Sequence, residues 1–333
     1  MAIANNACNV LVTGGTGFIG RNLVQALSLK GYQVTCLVRK KSRTEGLGND
    51  AVRLVVGDLN DPSSIREAGR AIHTVYHLAG SIKAADRKRY FEANQLGTRH
   101  LLETLAEVNP GLSRFIHVSS LAAAGPSPCG RGLTEIQEPH PISWYGESKL
   151  EAEREVLKFI GTFPVTILRP SAVYGPGDRE TLLVHRMIRR GCLFTPGRTA
   201  RRFSLIHVDD LAAAFIGAAE RDTASGEIFY ISRPEVYTWE EVGRAIARAM
   251  GKRYRPVSLP RWLAVGAGLA GDCWASMTGL PATINSQKVK ELLEPSWICD
   301  SSKAYRILGF VPVIDLERGI RQTVRWYQDQ GWL

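Results

Sequence analysis

The 333-residue chain is long enough to bury a full core, and its formal net charge is +10. We expect one large α/β unit with a smaller appendage. No segment has the length of a membrane span or the pattern of a signal peptide, so we expect a cytoplasmic protein. The six cysteines have no paired spacing, which argues against a zinc cluster and against a disulfide framework.

Much of the positive charge lies in three stretches: Arg39–Arg43, Lys83–Arg89 and Arg186–Arg202. We do not expect nucleic-acid binding, because aromatic residues are not interleaved with these basic runs as a stacking platform requires. The first run falls where a cofactor phosphate is expected, and we interpret the other two as solvated surface. An anionic substrate or an acidic membrane surface stays open as a partner.

The first element is a short β-branched strand, Val10–Val12, which runs into a glycine-rich turn and a helix over Phe18–Leu29. This order is typical of the pyrophosphate-binding turn in dinucleotide-binding folds. Gly14 and Gly17 let the backbone turn and approach the ligand, and Gly20 lets the helix pack close to the strand. The residues expected to bind the cofactor here are Gly14, Thr16, Gly17, Phe18, Ile19 and Gly20.

The second strand, Gln33–Val38, ends in the basic sequence Arg39-Lys40-Lys41-Ser42-Arg43. In this architecture an acid about 20 residues after the glycines usually holds the ribose 2′-hydroxyl of the cofactor. Arg39, backed by Lys40 or Arg43, offers a planar fork for a 2′-phosphate instead. We therefore expect NADP(H) as the cofactor and keep NAD(H) as the alternative, in which Arg39 is a solvated loop charge.

The third and fourth strands, Val52–Val56 and Thr74–Leu78, should end over the adenine and the cofactor ribose. Asp58 is expected to accept from the adenine amino group and also to cap the helix that begins near Pro62. Small residues follow the fourth strand, so the backbone there can pass close to the ribose. These ends add five cofactor-site candidates: Asp58, Leu59, Leu78, Ala79 and Gly80.

A long helix is predicted over Arg87–Val108, with Asn94 in its interior. Asparagine is unfavourable inside a helix, so Asn94 is either exposed or holds a polar contact beneath the site. The fifth strand, Arg114–Val118, delivers Ser120 at its carboxyl end. The glycine- and proline-rich loop that follows, Gly125–Pro141, is long enough to form one wall of a site.

Ser143 opens the next helix, Trp144–Ile160, on which Tyr145 and Lys149 stand four residues apart and share one face. A phenol with its ordinary pKa of ~10 exchanges protons poorly near neutrality, and a neighbouring ammonium lowers that pKa. Lys149 would also hold the nicotinamide ribose, and Ser120 can donate to a substrate oxygen. Together they predict hydride transfer at a carbonyl carbon, with Tyr145 as acid or base.

After the sixth strand, Val165–Leu168, the chain is predicted to alternate between two bodies. Leu205–Val208 and the helix Leu211–Arg221 should return to the sheet, and Glu227–Ile231 should add a further strand. Residues 1–175 with 204–231 form the expected dinucleotide-binding domain, and residues 176–203 with 232–333 form the expected substrate lobe. The substrate would then meet the cofactor between the lobes.

One segment of the small lobe is unusually apolar: Trp262–Gly271 and its continuation to Leu280. It is too short and too rich in glycine for a convincing membrane span. We expect a buried helix or a substrate lid. The alternative is peripheral membrane contact through residues 262–280, since tryptophans and a basic protein surface suit the membrane interface.

Several motifs together resemble the landmarks of the extended short-chain dehydrogenase/reductase family: Thr13–Gly20, Ser120, Tyr145–Lys149, Arg169-Pro170, Tyr174–Gly177 and His207–Leu211. The resemblance covers nearly the whole chain. It implies an α/β fold with a Rossmann-type doubly wound parallel sheet and a smaller, mainly helical C-terminal lobe. It also implies the catalytic set Ser120, Tyr145, Lys149 and Asn94, the last supporting a proton relay through water to Lys149. Tyr145, Lys149 and Pro170 would contact the cofactor, and a homodimer through the two long helices is expected.

The same motifs can be compared with the subfamilies of this family. Nucleotide-sugar dehydratases of the family carry an acidic pair after the catalytic hydroxyl residue, whereas Leu121-Ala122 follows Ser120 here. Sugar 4-epimerases generally hold NAD through an acid at the place of Arg39, and they use an arginine near Arg201-Arg202 for the diphosphate. The pattern is most similar to 3β-hydroxysteroid dehydrogenase and dihydroflavonol reductase relatives.

These observations predict an NADP(H)-dependent oxidoreductase that interconverts a secondary alcohol and a ketone. The expected substrate is a small molecule that is bulky and largely apolar: steroid-like, flavonoid-like or a 3-oxo-lipid. One alternative is a nucleotide-sugar 4-epimerase with tightly bound NAD. An alternative of another class is an NADP(H)-sensing regulatory protein, which would have no need for Ser120, Tyr145 and Lys149 together.

Overall fold

The computed structural model describes residues 8–333 apart from positions 49, 129 and 198. Its strands are β1 (Asn9–Thr13), β2 (Gln33–Val38), β3 (Val52–Val56), β4 (Thr74–His77), β5 (Arg114–Val118), β6 (Val165–Pro170), β7 (Ala172–Tyr174), β8 (Cys192–Pro196), β9 (Arg202–His207), β10 (Ile228–Ile231), β11 (Val236–Thr238), β12 (Arg255–Leu259) and β13 (Ser296–Trp297). Its helices are α1 (Phe18–Leu29), α2 (Pro62–Gly69), α3 (Arg87–Phe91), α4 (Gly97–Val108), α5 (Leu121–Ala124), α6 (Trp144–Leu157), α7 (Leu182–Arg189), α8 (Val208–Ala219), α9 (Trp239–Met250), α10 (Arg261–Thr278), α11 (Ser286–Leu293), α12 (Ser302–Leu308) and α13 (Leu316–Asp329). A π-helical turn, Glu92–Leu96, joins α3 to α4, so the predicted long helix is continuous but locally widened.

Seven parallel strands form the central sheet, in the spatial order β10-β6-β5-β4-β1-β2-β3. The strand order reverses at β1, which pairs with β2 on one side and with β4 on the other. Open α/β sheets bind ligands in the crevice outside the carboxyl ends of the strands at such a point. The predicted doubly wound fold is confirmed, and the glycine turn lies at its switch point.

Alternating side chains of the sheet build two apolar layers. Val10 and Val12 of β1 face the layer that α1 and α8 cover, and Leu11 faces the layer that α2, α4 and α6 cover. Because helices cover both faces, the strands are apolar on both sides and read as continuous hydrophobic runs. This arrangement leaves the strand ends as the open part of the sheet.

The strand β9 differs from the prediction. We expected Leu205–Val208 to return to the central sheet, but β9 joins a second sheet with β7, β11 and β13. Its side chains serve two cores: Phe203 and Leu205 pack in the small lobe, and Ile206 packs against the central sheet's apolar layer. A strand that is apolar on both faces does not indicate which sheet it joins. The helix α8 and the strand β10 do return, and the domain boundaries stay a prediction.

The expectation of a buried helix over the apolar segment of the small lobe is wrong. Helix α10 forms there, but only Gly268 and Ala275 are buried, and its large apolar side chains face outward. No helix in the described part of the chain combines the length and the apolar character needed to cross a bilayer.

A buried ion pair ties α6 to the sheet. Arg169 of β6 donates to both carboxylate oxygens of Glu153, at 2.6 and 2.9 Å, and the two side chains are 3% and 2% exposed. Ser119 also donates to Glu153, and Arg169 donates to the Tyr230 hydroxyl at 3.2 Å. The pair therefore fixes the helix that carries Tyr145 and Lys149 against the strand ends.

Replacing Glu153 with glutamine should lower the free energy of unfolding by about 3–5 kcal/mol, because the Arg169 charge stays buried without its partner. Urea unfolding followed by circular dichroism measures this change. Replacing both residues with methionine should restore most of the loss.

The matched control for this prediction is Glu151→Gln on the same helix, whose ion pair with Arg154 is largely solvent-exposed. We expect a change within about 0.5 kcal/mol there. Equal losses in Glu153→Gln and Glu151→Gln would contradict the structural role of the buried pair.

Candidate active site

A cleft of about 330 Å³ runs along the strand ends around the switch point. The structure brings together nine of the predicted cofactor residues in its lining: Gly14, Thr16, Gly17, Arg39, Asp58, Leu59, Leu78, Ala79 and Gly80. The opposite wall comes from the π-helical turn and the start of α4, with Glu92, Ala93 and Gly97. One side of the cleft is therefore formed by the segments that the sequence predicts for dinucleotide binding, and the opposite wall was not predicted.

The glycine turn has the close backbone approach that its sequence predicts. Gly14 has a φ of 75°, and a Cβ atom there would lie 2.7 Å from the backbone nitrogen of Ala79. Gly17 caps α1 without a side-chain hydrogen bond, so no side chain of the N-cap occupies the first N–H groups of the helix. Such a cradle fits the pyrophosphate of a dinucleotide.

Three predicted cofactor residues of this turn lie behind it. Ile19 packs against the apolar layer, Phe18 contacts the Gly177 region, and Gly20 packs against the Gly14 carbonyl. A fourth predicted residue, Pro170, is buried at the end of β6, where it pairs with Ile231. None of these four predicted residues lines the cleft.

The basic loop after β2 is held by a residue that the sequence analysis missed. Arg21 of α1 donates to the carbonyls of Thr16 at 3.1 Å and Glu45 at 2.6 Å, and also to that of Arg43. It thereby links the glycine turn to the loop that carries Arg39. Ser42, rather than Lys40 or Arg43, lines the cleft beside Arg39. The sequence feature that could have indicated this contact is an arginine at the fourth position of the first helix, directly after the glycine turn.

Asp58 lines the cleft but does not cap α2. Its Oδ1 accepts from the Asn60 backbone nitrogen at 2.9 Å, whereas Asp61 caps the helix by accepting from Ser63 at 3.0 Å. The capping half of the Asp58 prediction is therefore wrong. Asp61 stands directly before the helix, which is the position that favours a capping aspartate.

Ser120 and Tyr145 meet where α5 and α6 begin. Ser120 is the N-cap of α5, and its Oγ accepts from the Ala122 backbone nitrogen at 3.1 Å. Gly146 brings α6 against the same turn, since a Cβ atom there would lie 2.3 Å from the Ala122 carbonyl oxygen. Burial raises the pKa of Tyr145 to about 12, and a hydrogen bond with Ser120 opposes this rise.

Lys149 is buried behind this pair. Its ammonium donates to the Val118 carbonyl at 2.7 Å, burial lowers its pKa to about 8, and the Glu153 charge opposes the shift. The prediction that the pKa of Tyr145 lies below its ordinary value is wrong for this structure, in which the net shift is upward. Burial of the phenol is the largest influence on its pKa, and the ammonium is engaged with the end of β5.

Asn94 is buried and holds a polar contact beneath the site, as one of its two interpretations predicts. Its Oδ1 accepts from the Ser81 backbone nitrogen at 2.6 Å. Its Nδ2 donates to the Ser81 carbonyl at 3.1 Å and to the Ser148 hydroxyl at 2.8 Å. The side chain therefore joins the cleft wall to α6 and does not itself bond to Lys149.

A buried hydrogen-bond chain that the sequence analysis missed connects this wall to β1. The Ala79 backbone nitrogen donates to the Thr13 hydroxyl, which donates to His77 Nδ1 at 2.7 Å. His77 Nε2 donates to the Thr98 hydroxyl at 2.8 Å, and Thr98 donates to the Asn94 carbonyl at 2.6 Å. Burial lowers the pKa of His77 to about 3, so the ring is neutral and each donor meets an acceptor.

Comparison with known proteins places this geometry in a family. Residues 10–232 match the NAD dependent epimerase/dehydratase family. The chain is 33% identical to a ceramide reductase of Caulobacter vibrioides over 97% of its length and 96% of the relative. It is 26% identical to a UDP-glucose 4-epimerase of Vibrio cholerae over 95% of its length and 94% of the relative.

Solved structures show the same fold. MoeE5 in complex with UDP-glucuronic acid and NAD superposes with a TM-score of 0.78 at 25% identity, covering 97% of this chain and 99% of that one. The cleft at the switch point of the sheet agrees with this kinship. The chain therefore belongs to the NAD dependent epimerase/dehydratase family, within the extended short-chain dehydrogenases/reductases, and is an NAD(P)-dependent enzyme acting on CH–OH and C=O groups.

Proposed function

We propose that this enzyme is an NADP(H)-dependent oxidoreductase that interconverts a secondary alcohol and a ketone on a bulky, largely apolar substrate. The observation that carries the proposal is the hydrogen bond between Ser120 and Tyr145 at the end of β5, where Lys149 also donates to the Val118 carbonyl. A cleft at the strand ends, with Arg39 in its lining, accompanies it. Relatives named as a ceramide reductase and a 3 beta-hydroxysteroid dehydrogenase support a lipid-like substrate.

The chain's own residues fit the cofactor. The Gly14–Gly17 turn would hold the pyrophosphate, Asp58 would accept from the adenine amino group, and Arg39 would pair with a 2′-phosphate. Ala79 and Gly80 leave room for the ribose. When bound, the nicotinamide supplies or takes up the hydride.

The proton chemistry falls to three side chains. The Ser120 Oγ accepts from Ala122 and shares a hydrogen bond with Tyr145, so the hydroxyl lies beside the acid and can donate to the substrate oxygen. With a pKa of about 12, Tyr145 is protonated near neutrality and can donate to that oxygen during ketone reduction. Lys149, charged below its pKa of about 8, stabilises the phenolate that remains. Alcohol oxidation reverses these proton movements.

The epimerase alternative has one observation in its favour. Arg201 is buried in the small lobe, and its Nε finds no hydrogen-bond partner among the described residues. Such a guanidinium suits a phosphate group of a nucleotide sugar. Tightly bound NAD in the purified protein would favour this function, because an epimerase returns its hydride within one cycle.

Replacing Tyr145 with phenylalanine should lower kcat for ketone reduction by roughly 10²- to 10⁴-fold, because the proton donor is lost while the aromatic packing stays. NADPH binding, measured by fluorescence titration, should stay nearly unchanged. Tyr90 lies 6.3 Å from Tyr145 between ring centroids, so Tyr90→Phe is the matched control and should retain turnover. Full activity in Tyr145→Phe would contradict the assignment of the acid.

Replacing Arg39 with glutamate should lower the preference for NADPH over NADH by roughly 10- to 100-fold, because one charge-assisted hydrogen-bond pair to the 2′-phosphate is lost. The measurement is kcat/KM with each cofactor. Lys41→Glu makes the same charge change in the same loop, outside the cleft lining, and should leave the preference nearly unchanged. Equal effects of both variants would indicate general charge attraction and count against Arg39 as the phosphate ligand.

A further inference from the structure

Helix α10 exposes its large apolar side chains and packs its small residues inward, which is the reverse of an ordinary surface helix. A surface helix ordinarily turns its apolar side chains inward and its polar side chains to water. In α10 the inward face consists of small residues: a Cβ atom at Gly271 would lie 1.9 Å from the Ile284 carbonyl oxygen, and Ala275 is buried. The helix therefore packs closely on the segment before α11 and on α11 itself, and its large side chains are left outside.

The outward face is an apolar stripe. Trp262, Leu269 and Met277 are 71%, 60% and 81% exposed, and their spacing places them on one side of the helix. Asp272, the acidic residue of α10, accepts from the Ser286 backbone nitrogen at 3.2 Å and so is tied to the α11 side. Exposed apolar patches of this kind mark protein–protein or membrane interaction sites.

Positive charge lies at both ends of the stripe. Arg261 is the first residue of α10, and Arg89 of α3 donates to the Gly279 carbonyl, directly after the last, at 2.7 Å. Residues 251–294 contain six basic and three acidic residues. Apolar side chains between cations match the acyl and headgroup layers of an anionic lipid surface, whereas a second copy of this chain would bring like charges together.

We propose that α10 docks the protein on an anionic phospholipid bilayer and lies in the interface with the Trp262–Met277 stripe turned to the acyl chains. The helix is not one that could span a bilayer, so it would lie along the surface. This inference goes beyond the proposed function and does not depend on the substrate.

The docking face is joined to the active site. On α11, Glu291 accepts from the Ser143 hydroxyl at 2.6 Å, and Gln287 accepts from the Trp144 backbone nitrogen at 3.2 Å. Both contacts lie at the start of α6, beside Tyr145. The helix pair α10–α11 therefore places the lipid surface next to the start of α6, the helix that carries Tyr145.

Flotation with vesicles tests the proposal. The full-length protein should float with mixed phosphatidylcholine–phosphatidylglycerol vesicles and much less with phosphatidylcholine alone. The variant Trp262→Ser/Leu269→Ser/Met277→Ser should lose at least about tenfold in partitioning. Leu29→Ser/Ile136→Ser/Val311→Ser removes equally exposed apolar groups from other surfaces and is the matched control. Arg89→Glu/Arg261→Glu should abolish the preference for the anionic vesicles.

Circular dichroism and NADPH binding verify that the variants are folded, and NADPH binding that survives alongside lost flotation separates this proposal from the proposed function. Equal flotation of the stripe variant and the control would overturn the membrane docking. Failure of the wild-type protein to float with either kind of vesicle would also overturn it. A dimer in solution that the stripe variant disrupts would then show that a second copy of the chain covers this face.

Discussion

The buried ammonium of Lys149 is the contact on which the catalytic arrangement depends. By donating to the Val118 carbonyl, it fastens α6 to the end of β5, the strand that delivers Ser120. This hydrogen bond joins a helix and a strand end that are separated in sequence by the whole Gly125–Pro141 loop. Desolvation at this place lowers the pKa of Lys149 and raises that of Tyr145.

Two buried polar assemblies hold this contact in place. The Glu153–Arg169 pair fixes α6 one turn beyond Lys149, and the chain through His77 connects Ala79 of the cleft to the Asn94 carbonyl. Each assembly satisfies its donors and acceptors, which is the condition under which buried polar groups specify one arrangement. The cofactor wall and the catalytic helix are thus parts of one rigid framework, on which α11 and the exposed α10 are mounted.

The sequence predicted the elements with strong periodicity well: the bounds of α1, β2, β3 and β5 are confirmed. The grouping of Ser120, Tyr145 and Lys149 could be predicted, because helical spacing puts Tyr145 and Lys149 on one face and Ser120 follows a strand of the same sheet. The His77 chain could not be predicted, since it depends on the register of β1 against β4. The apolar composition of α10 did not show whether its large side chains are buried or exposed. The small residues Gly268, Gly271 and Ala275 were the pattern that marked its packed face. For β9, apolar side chains on both faces left its sheet undetermined.

The central claim is that Tyr145 exchanges its proton with the substrate oxygen, and in alcohol oxidation this requires the positive charges of Lys149 and NADP⁺ to lower the phenol's pKa. The most direct measurement is the ultraviolet difference absorbance of tyrosinate, recorded with and without NADP⁺ from neutrality to about pH 9. Without NADP⁺, wild type and Tyr145→Phe should show the same absorbance, because the phenol with a pKa of about 12 stays protonated. With NADP⁺, one additional tyrosinate should appear in the wild type alone. Identical spectra of the two proteins with bound NADP⁺ would contradict the account.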